Sequence, residues 1–411
     1  MRVLVVGKGG REHALADKIS GSPLLTQVWV APGNPGMKAA GLECVAVEST
    51  PEILKFATDN KIELVVLGPE GAILSDLKEA LAKAGIACFA PDKGVARLEA
   101  SKIFCKEILQ KAEVPTAAFE IAFNWEQAQN YLLQHDFAQP VVIKADGLAA
   151  GKGVSVCKTK EKALTAAEEL SDAYGYPLLF EECLVGPELS AFALCDGEDF
   201  VMLGTACDYK RITPDLFSAN TGGMGAYSPC DFISADEETE INRYFAQTLA
   251  VLKKQNMPYQ GFLFMGLMKT PNGLSVLEYN VRMGDPETQA LMPRLRSDLL
   301  EVISKAVRHE LKNLKLENHP MASVHVVVAS EGYPESKMNL GHAIQVPARS
   351  ELGQVYYAGV GLQDNKLVNT GGRVLGVTSL GETRKQAREK AYQIVKDIKF
   401  TGHYYRQDIA E

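Results

Sequence analysis

The residues able to do chemistry gather at a few places along the chain. Gly147-Leu148-Ala149-Ala150-Gly151-Lys152-Gly153 lies between two strand-like runs, Val141–Lys144 and Val154–Lys158. It departs from a P-loop: three residues separate its glycines instead of four, and Gly153 stands where Ser or Thr is needed. With strands on both sides it reads as the tip of a β-hairpin, a flap able to close over a nucleotide. Its backbone N–H groups would meet phosphates, while Lys144 on the entering strand would neutralise them. An ordinary hairpin is the plain alternative.

Val276-Leu277-Glu278-Tyr279-Asn280-Val281-Arg282 reads as a strand, and its period of two puts Glu278, Asn280 and Arg282 on one face. Glu278 and Asn280 are hard oxygen donors, suited to Mg²⁺ or Mn²⁺ bridging ATP phosphates. Arg282 beside them could grip a transferring phosphoryl group. A solvated strand face is the bland alternative, weakened by the polar loop Gly284-Asp285-Pro286-Glu287-Thr288 that follows at once. Asn220 to Pro229 adds a second backbone-rich loop for small anionic substrates.

Gly7-Lys8-Gly9-Gly10-Arg11-Glu12-His13 follows the first strand and opens a helix, where backbone N–H groups favour an anion. Glu12 occupies the position at which a dinucleotide fingerprint needs glycine. Val30-Ala31-Pro32 stands where that fingerprint wants an acid, so nicotinamide dinucleotides are disfavoured. A sugar phosphate and a structural tight turn remain open for this loop.

These residues need elements to carry them. Arg2–Val6, Gln27–Val30, Cys44–Val47, Leu64–Leu67 and Ala87–Phe89 read as strands, with helices at Gly10–Ser20, Pro51–Asn60 and Leu74–Ala84 between them. Unbroken apolar strands are buried on both faces, which predicts a doubly wound parallel sheet. From Ser101 the pattern changes to a compact βαββαβ stretch ending at Leu178–Glu182. Antiparallel strands follow at Glu188–Cys195, Phe200–Cys207, Gly261–Lys269 and Leu274–Asn280, and a last α+β segment runs from Ala322.

A chain of 411 residues fits two to four domains at about 150 residues each. With 43 basic and 51 acidic residues the net charge is −8, a poor match for nucleic acid or anionic membranes. No apolar run approaches the roughly 18–20 residues that span a bilayer. Eight scattered cysteines without a C-x-x-C pair read as reduced core residues of a cytoplasmic protein.

Six stretches carry a resemblance over essentially the whole chain. They are Gly9 to Ala14, Ala31 to Asn34, Lys144 to Gly153, Asn220 to Pro229, Gly284 to Gln289, and Gly371-Gly372-Arg373-Val374-Leu375-Gly376-Val377. In this order they resemble the glycinamide ribonucleotide synthetase (phosphoribosylamine–glycine ligase) family of ATP-grasp enzymes in purine biosynthesis. The resemblance implies an α/β fold with an α+β core. An amino-terminal doubly wound domain would span residues 1–100. An ATP-grasp domain would span 101–320, its flap subdomain about 116–183, and a carboxy-terminal α+β domain 321–411. It also implies joining of glycine to 5-phosphoribosylamine through a glycyl phosphate, with ATP and Mg²⁺ or Mn²⁺, in a cytoplasmic monomer.

By the same resemblance Lys102, Lys144, Gly147, Gly151, Lys152 and Gly153 would contact ATP phosphates. Glu181, Glu182, Cys183 and Leu184 would read adenine, partly through backbone groups, and Glu188 would hold the ribose. Glu278 and Asn280 would bind metal; Arg282, Lys144 and Asp285 would serve catalysis. Pro286, Glu287 and Thr288 would face the acyl phosphate and substrates. Asp208, Lys210, Asn220, Thr221 and Gly222 would lie near glycine or phosphoribosylamine. Gly9, Gly10, Arg11, Glu12, Asn34 and Glu70 would line the amino-terminal side of the cleft. Lys8 stands where the family usually has a small or amide residue, and Met283 replaces an aromatic.

Overall fold

Apolar runs without polar interruption build the first sheet of the computed structural model, which describes residues 1–148, 153–215, 218–347 and 350–411. Five parallel strands lie in the order Glu43–Cys44, Gln27–Pro32, Arg2–Gly7, Leu64–Leu67, Ala87–Phe89. Val3, Leu4 and Val5 are fully buried, as two-sided covering by helices requires. The third strand stops earlier than the expected Val47. Val45 N–H still reaches Val30 O, but Val47 N–H turns back onto Val45 O.

A separate four-stranded antiparallel sheet has the order Phe119–Ala122, Leu178–Glu182, Val141–Ala145, Val154–Cys157. Helices Trp125–Gln134 and Lys160–Tyr174 cover it, each started by a side-chain cap from Asn124 or Thr159. Leu132, Ile143, Ala167 and Phe180 form its small core. The glycine-rich segment therefore joins neighbouring hairpin strands, with Lys144 paired opposite Val154.

The largest sheet holds eight antiparallel strands: Gly273–Asn280, Gln260–Thr270, Glu188–Asp196, Phe200–Asp208, Gly225–Ser228, Ala322–Ala329, Arg373–Gly381 and Gln354–Tyr357. The last three come from the carboxy-terminal segment and continue the sheet through the pairing of Gly225–Ser228 with Ala322–Ala329. Separate domains in sequence thus share one sheet in space. The strand carrying Glu278 ends at Asn280, so Arg282 lies just beyond it. A register shift between Gly266 and Leu267 bends the ladder opposite Glu278.

The expectation of eight reduced cysteines holds for six of them. It fails at Cys207 and Cys230, which the structure joins as a disulfide with Cα atoms 6.0 Å apart. Pairing of Cys207 with Tyr227 in adjacent strands brings Cys230 alongside.

Of two buried histidines, His13 seams the front domain to the carboxy-terminal strands, and His325 lies within those strands, its Nδ1 2.8 Å from the Thr378 hydroxyl. His13 Nδ1 accepts from Tyr357 N–H at 2.9 Å, and its ring lies 5.3 Å from that of Tyr356. Burial drives the His13 pKa from 6.5 to about 4 and that of His325 to about 3. Both are neutral when folded yet titrate near 6.5 when unfolded, so stability is complete above that pH. It is lost as pH falls from about 6.5 toward 4, by about 3 kcal/mol for His13 alone. Urea denaturation between pH 7 and 4 checks this. A His13→Gln variant should show a shallower slope, and an equal slope would refute the assignment.

Candidate active site

Glu278, Asn280, Arg282, Asp285, Glu287, Glu188, Asp208, Lys210, Thr221 and Gly222 line one cavity of about 160 Å³. Three strands and the residues just beyond two of them, the loop after Asn220 and the loop after Arg282 supply them. The residues expected to bind metal, ribose and substrates thus converge from a span of nearly a hundred positions.

Glu278 and Asn280 sit two residues apart at the strand end, with Asn280 Nδ2 3.4 Å from Glu278 Oε1. The cleft walls push the Glu278 carboxyl upward, but Lys210, Lys144 and Lys102 outweigh them and hold it below its ordinary value. An ionised carboxylate and an amide are hard donors that fit Mg²⁺. No cluster of three or more His, Cys, Asp or Glu able to hold a metal occurs among the described residues. Two protein donors suit an ion whose remaining positions are filled by phosphate oxygens and water.

Arg282 is fixed from two sides. Its Nη2 donates to Glu99 Oε1 at 2.8 Å and to Asn280 Oδ1 at 3.2 Å, and its Nε lies 3.5 Å from Glu70 Oε2. Glu99, which the sequence reading missed, also accepts from Val281 N–H at 2.8 Å. Asp285 is gripped by Arg373 Nη2 at 3.2 Å and by Gln289 Nε2 at 2.8 Å. Burial raises the Asp285 carboxyl, but Arg373 and Arg11 pull it below the usual range. Arg373 also donates to the carbonyls of Gly222 and Asp285, each at 2.6 Å, tying the two substrate loops together. It stood inside a recognised motif without a role.

The nucleotide side is a lysine cluster. Ser101 caps helix Lys102–Lys111, and the helical spacing puts Lys102 and Lys106 on one face. Lys102 Nζ donates to Gly147 O at 2.8 Å. Lys144 and Lys106 approach Glu181 Oε2 at 2.9 Å and 3.3 Å. The Glu181 side chain is thereby turned inward as a counter-ion to both lysines. Glu278 and Asp146 also act on Lys102, so the cluster sets three lysines among three carboxylates. Glu182 Oε1 accepts from Ala118 N–H, and Leu184 follows the strand end. Gly153 O accepts from Ala145 N–H. Gly151 and Lys152 lie outside the described residues. Glu188 pairs with Lys210 at 2.5 Å.

On the amino-terminal flank, Glu12 fills the position an anion would take. Its Oε2 accepts from Gly9 N–H at 2.8 Å, and its Oε1 pairs with Arg11 Nε at 2.5 Å. A Cβ on Gly7 or on Gly68 would come within 2.3 Å of the Glu12 side chain, so two glycines make its slot. Arg11 Nη1 reaches across to Met283 O at 3.2 Å. Arg11 is buried, and these bonds make it a strut between the front domain and the Arg282 loop. Asn34 Nδ2 donates to the carbonyls of Lys8, Tyr357 and Ala358. Gly10 packs against Gln289. Lys8 points outward to Glu48. Asn220 bridges to Arg211, Pro286 packs under Gly223, and Thr288 is fully buried with its hydroxyl on Gly284 O.

A β-hairpin and a lysine cluster beside an acid–amide pair at the end of an antiparallel strand fit the class of ATP-grasp enzymes. Models of the phosphoribosylglycinamide synthetase N domain, ATP-grasp (A) domain and C domain match residues 1–99, 100–288 and 323–411. The chain belongs to the phosphoribosylglycinamide synthetase family. It is 41% identical to phosphoribosylamine–glycine ligase of Rhodopirellula baltica, covering 100% of this chain and 97% of that one. The same-named protein of Caldanaerobacter subterraneus is 40% identical over 100% of this chain and 99% of its own. Among solved structures, phosphoribosylamine–glycine ligase of Thermotoga maritima superposes with TM-score 0.86 at 35% identity, both chains fully covered. A biotin carboxylase of Campylobacter jejuni shares the fold alone, with TM-score 0.75 at 15% identity over 98% of this chain and 92% of that one.

Proposed function

We propose that this chain joins glycine to 5-phosphoribosylamine with ATP, giving glycinamide ribonucleotide, ADP and phosphate. The convergence of Glu278, Asn280, Arg282 and Lys210 on one cavity, with Lys144 and Lys102 near enough to act on the Glu278 carboxylate, carries this reading, together with family membership. Lys102 and Lys144 hold the ATP phosphates beneath the flap, and Glu188 meets the ribose. Glu278 and Asn280 would hold Mg²⁺ or Mn²⁺, which supplies charge neutralisation between the transferring phosphoryl group and the leaving diphosphate.

Glycine carboxylate attacks the γ-phosphoryl to give glycyl phosphate, and the amine then displaces phosphate. Arg282, anchored by Glu99, faces the charge that develops at the phosphoryl group. Asp285, the loop Asn220–Gly222 and Lys210 frame the acceptor side, with Arg11, Glu12, Asn34 and Glu70 shaping the wall behind them. We take the domain divisions near residues 100 and 320 with a flap at about 116–183, and a cytoplasmic monomer; among the described residues no helix is long and apolar enough to cross a membrane.

An ADP-release assay tests the reading. Release should require both glycine and freshly generated phosphoribosylamine, each omitted in turn. Full release with either one missing, or with another acid or amine preferred, would refute it.

A further inference from the structure

The cavity holds more carboxylates than metal binding and ion pairing account for. Glu188 is matched to Lys210, Asp285 to Arg373, and Glu278 is the acid of the proposed metal pair. Asp208 lies 3.8 Å from Lys210. Glu287 remains. It is 3% exposed, and its Oε1 accepts from the Ser190 hydroxyl at 3.3 Å, a neutral partner. Its other oxygen folds over Gly284, where a Cβ would come within 2.5 Å of it. Gly284 thus leaves the space that lets this side chain turn into the cavity.

Amide formation releases a proton that the ligase reading has not placed. We propose that Glu287 is the proton acceptor when the phosphoribosylamine nitrogen attacks the glycyl carbonyl. The inference rests on the ligase reading above. In this step the C–N bond forms and the carbonyl C–O bond to the phosphoryl group breaks. The electron pair of that C–O bond leaves on inorganic phosphate. The surplus proton on nitrogen passes to a Glu287 carboxylate oxygen, and from there to the departing phosphate or to water.

The two neighbouring acids are divided by their surroundings. Arg373 and Arg11 hold Asp285 low, which makes it a poor base. Burial, and next the charge of Asp208, raise Glu287 above the ordinary carboxylate range, against the opposing pull of Lys210 and Arg282. A carboxylate moved toward neutrality is the better proton acceptor at physiological pH.

Purified Glu287→Gln full-length chain tests the proposal. Hydroxylamine in place of phosphoribosylamine traps glycyl phosphate as a hydroxamate without enzyme base assistance. Amide formation should fall by about 100-fold in the variant, and hydroxamate formation by less than about tenfold. Equal losses in both reactions, or no loss in amide formation, would overturn the proposal. A wild-type chain that forms neither the amide with phosphoribosylamine nor the hydroxamate with hydroxylamine, from glycine and ATP, would instead overturn the ligase reading. Ser190→Ala keeps the carboxylate but removes its hydroxyl donor, so the acid-side decline of amide formation should move to higher pH. A decline that stays in place would also overturn the proposal.

Discussion

Glu278→Ala lowers turnover on the order of 10³-fold while leaving the fold intact. The magnitude follows from losing several kcal/mol of metal-borne charge stabilisation, at about 1.4 kcal/mol per decade of rate. The carboxylate is open to the cleft, so its removal exposes no core and leaves no buried charge stranded. Three lysines lose a shared counter-charge, yet each keeps another partner: Lys210 keeps Glu188, Lys144 keeps Glu181 and Lys102 keeps Gly147 O. ADP release at saturating substrates and thermal unfolding, measured together, check the split. The variant should also need a higher Mg²⁺ concentration for half-maximal residual rate. Near wild-type turnover would remove Glu278 from the metal site, and loss of folding would make its role structural.

Arg282→Met damages both chemistry and stability, for separable reasons. Loss of a preorganised cation at the developing phosphoryl charge should reduce turnover by about 10²–10³-fold. The stability effect arises at Glu99, whose side chain is 6% exposed and whose guanidinium partner would vanish. Val281 N–H still satisfies one Glu99 oxygen, so the expected loss is about 2–4 kcal/mol. Adding Glu99→Gln removes the stranded charge. The double variant should regain most of the denaturation midpoint without regaining turnover. Recovery of turnover as well would show that Arg282 acts through the fold and not on the phosphoryl group.

Local patterns carried much of this far. Burial on both faces wrote the parallel sheet into unbroken apolar runs such as Val3–Val6. Two strands around a glycine-rich segment showed a hairpin, and a period of two placed Glu278 beside Asn280. Arg11 is where local reading ran short. The helix start beside glycines left a sugar phosphate and a tight turn open, and Glu12 takes both the Gly9 N–H group and the Arg11 guanidinium. The pairing of Glu181 with Lys106 and Lys144 was likewise out of reach of local pattern.

By itself the sequence determined most element types, the hairpin around the glycine-rich segment and the placing of Glu278 beside Asn280, because periodicity and turn composition act over a few residues. Tertiary structure alone decided which charges meet. Arg282 finds Glu99 at a separation of 183 positions, and Arg373 finds the Asp285 carbonyl at 88. It also joined the carboxy-terminal strands to the central sheet through a pairing no local pattern encodes. Such contacts arise only when the packed core fixes the directions of distant side chains. Burial then sets how strongly each charge acts, as the opposed shifts of Asp285 and Glu287 in one cavity show.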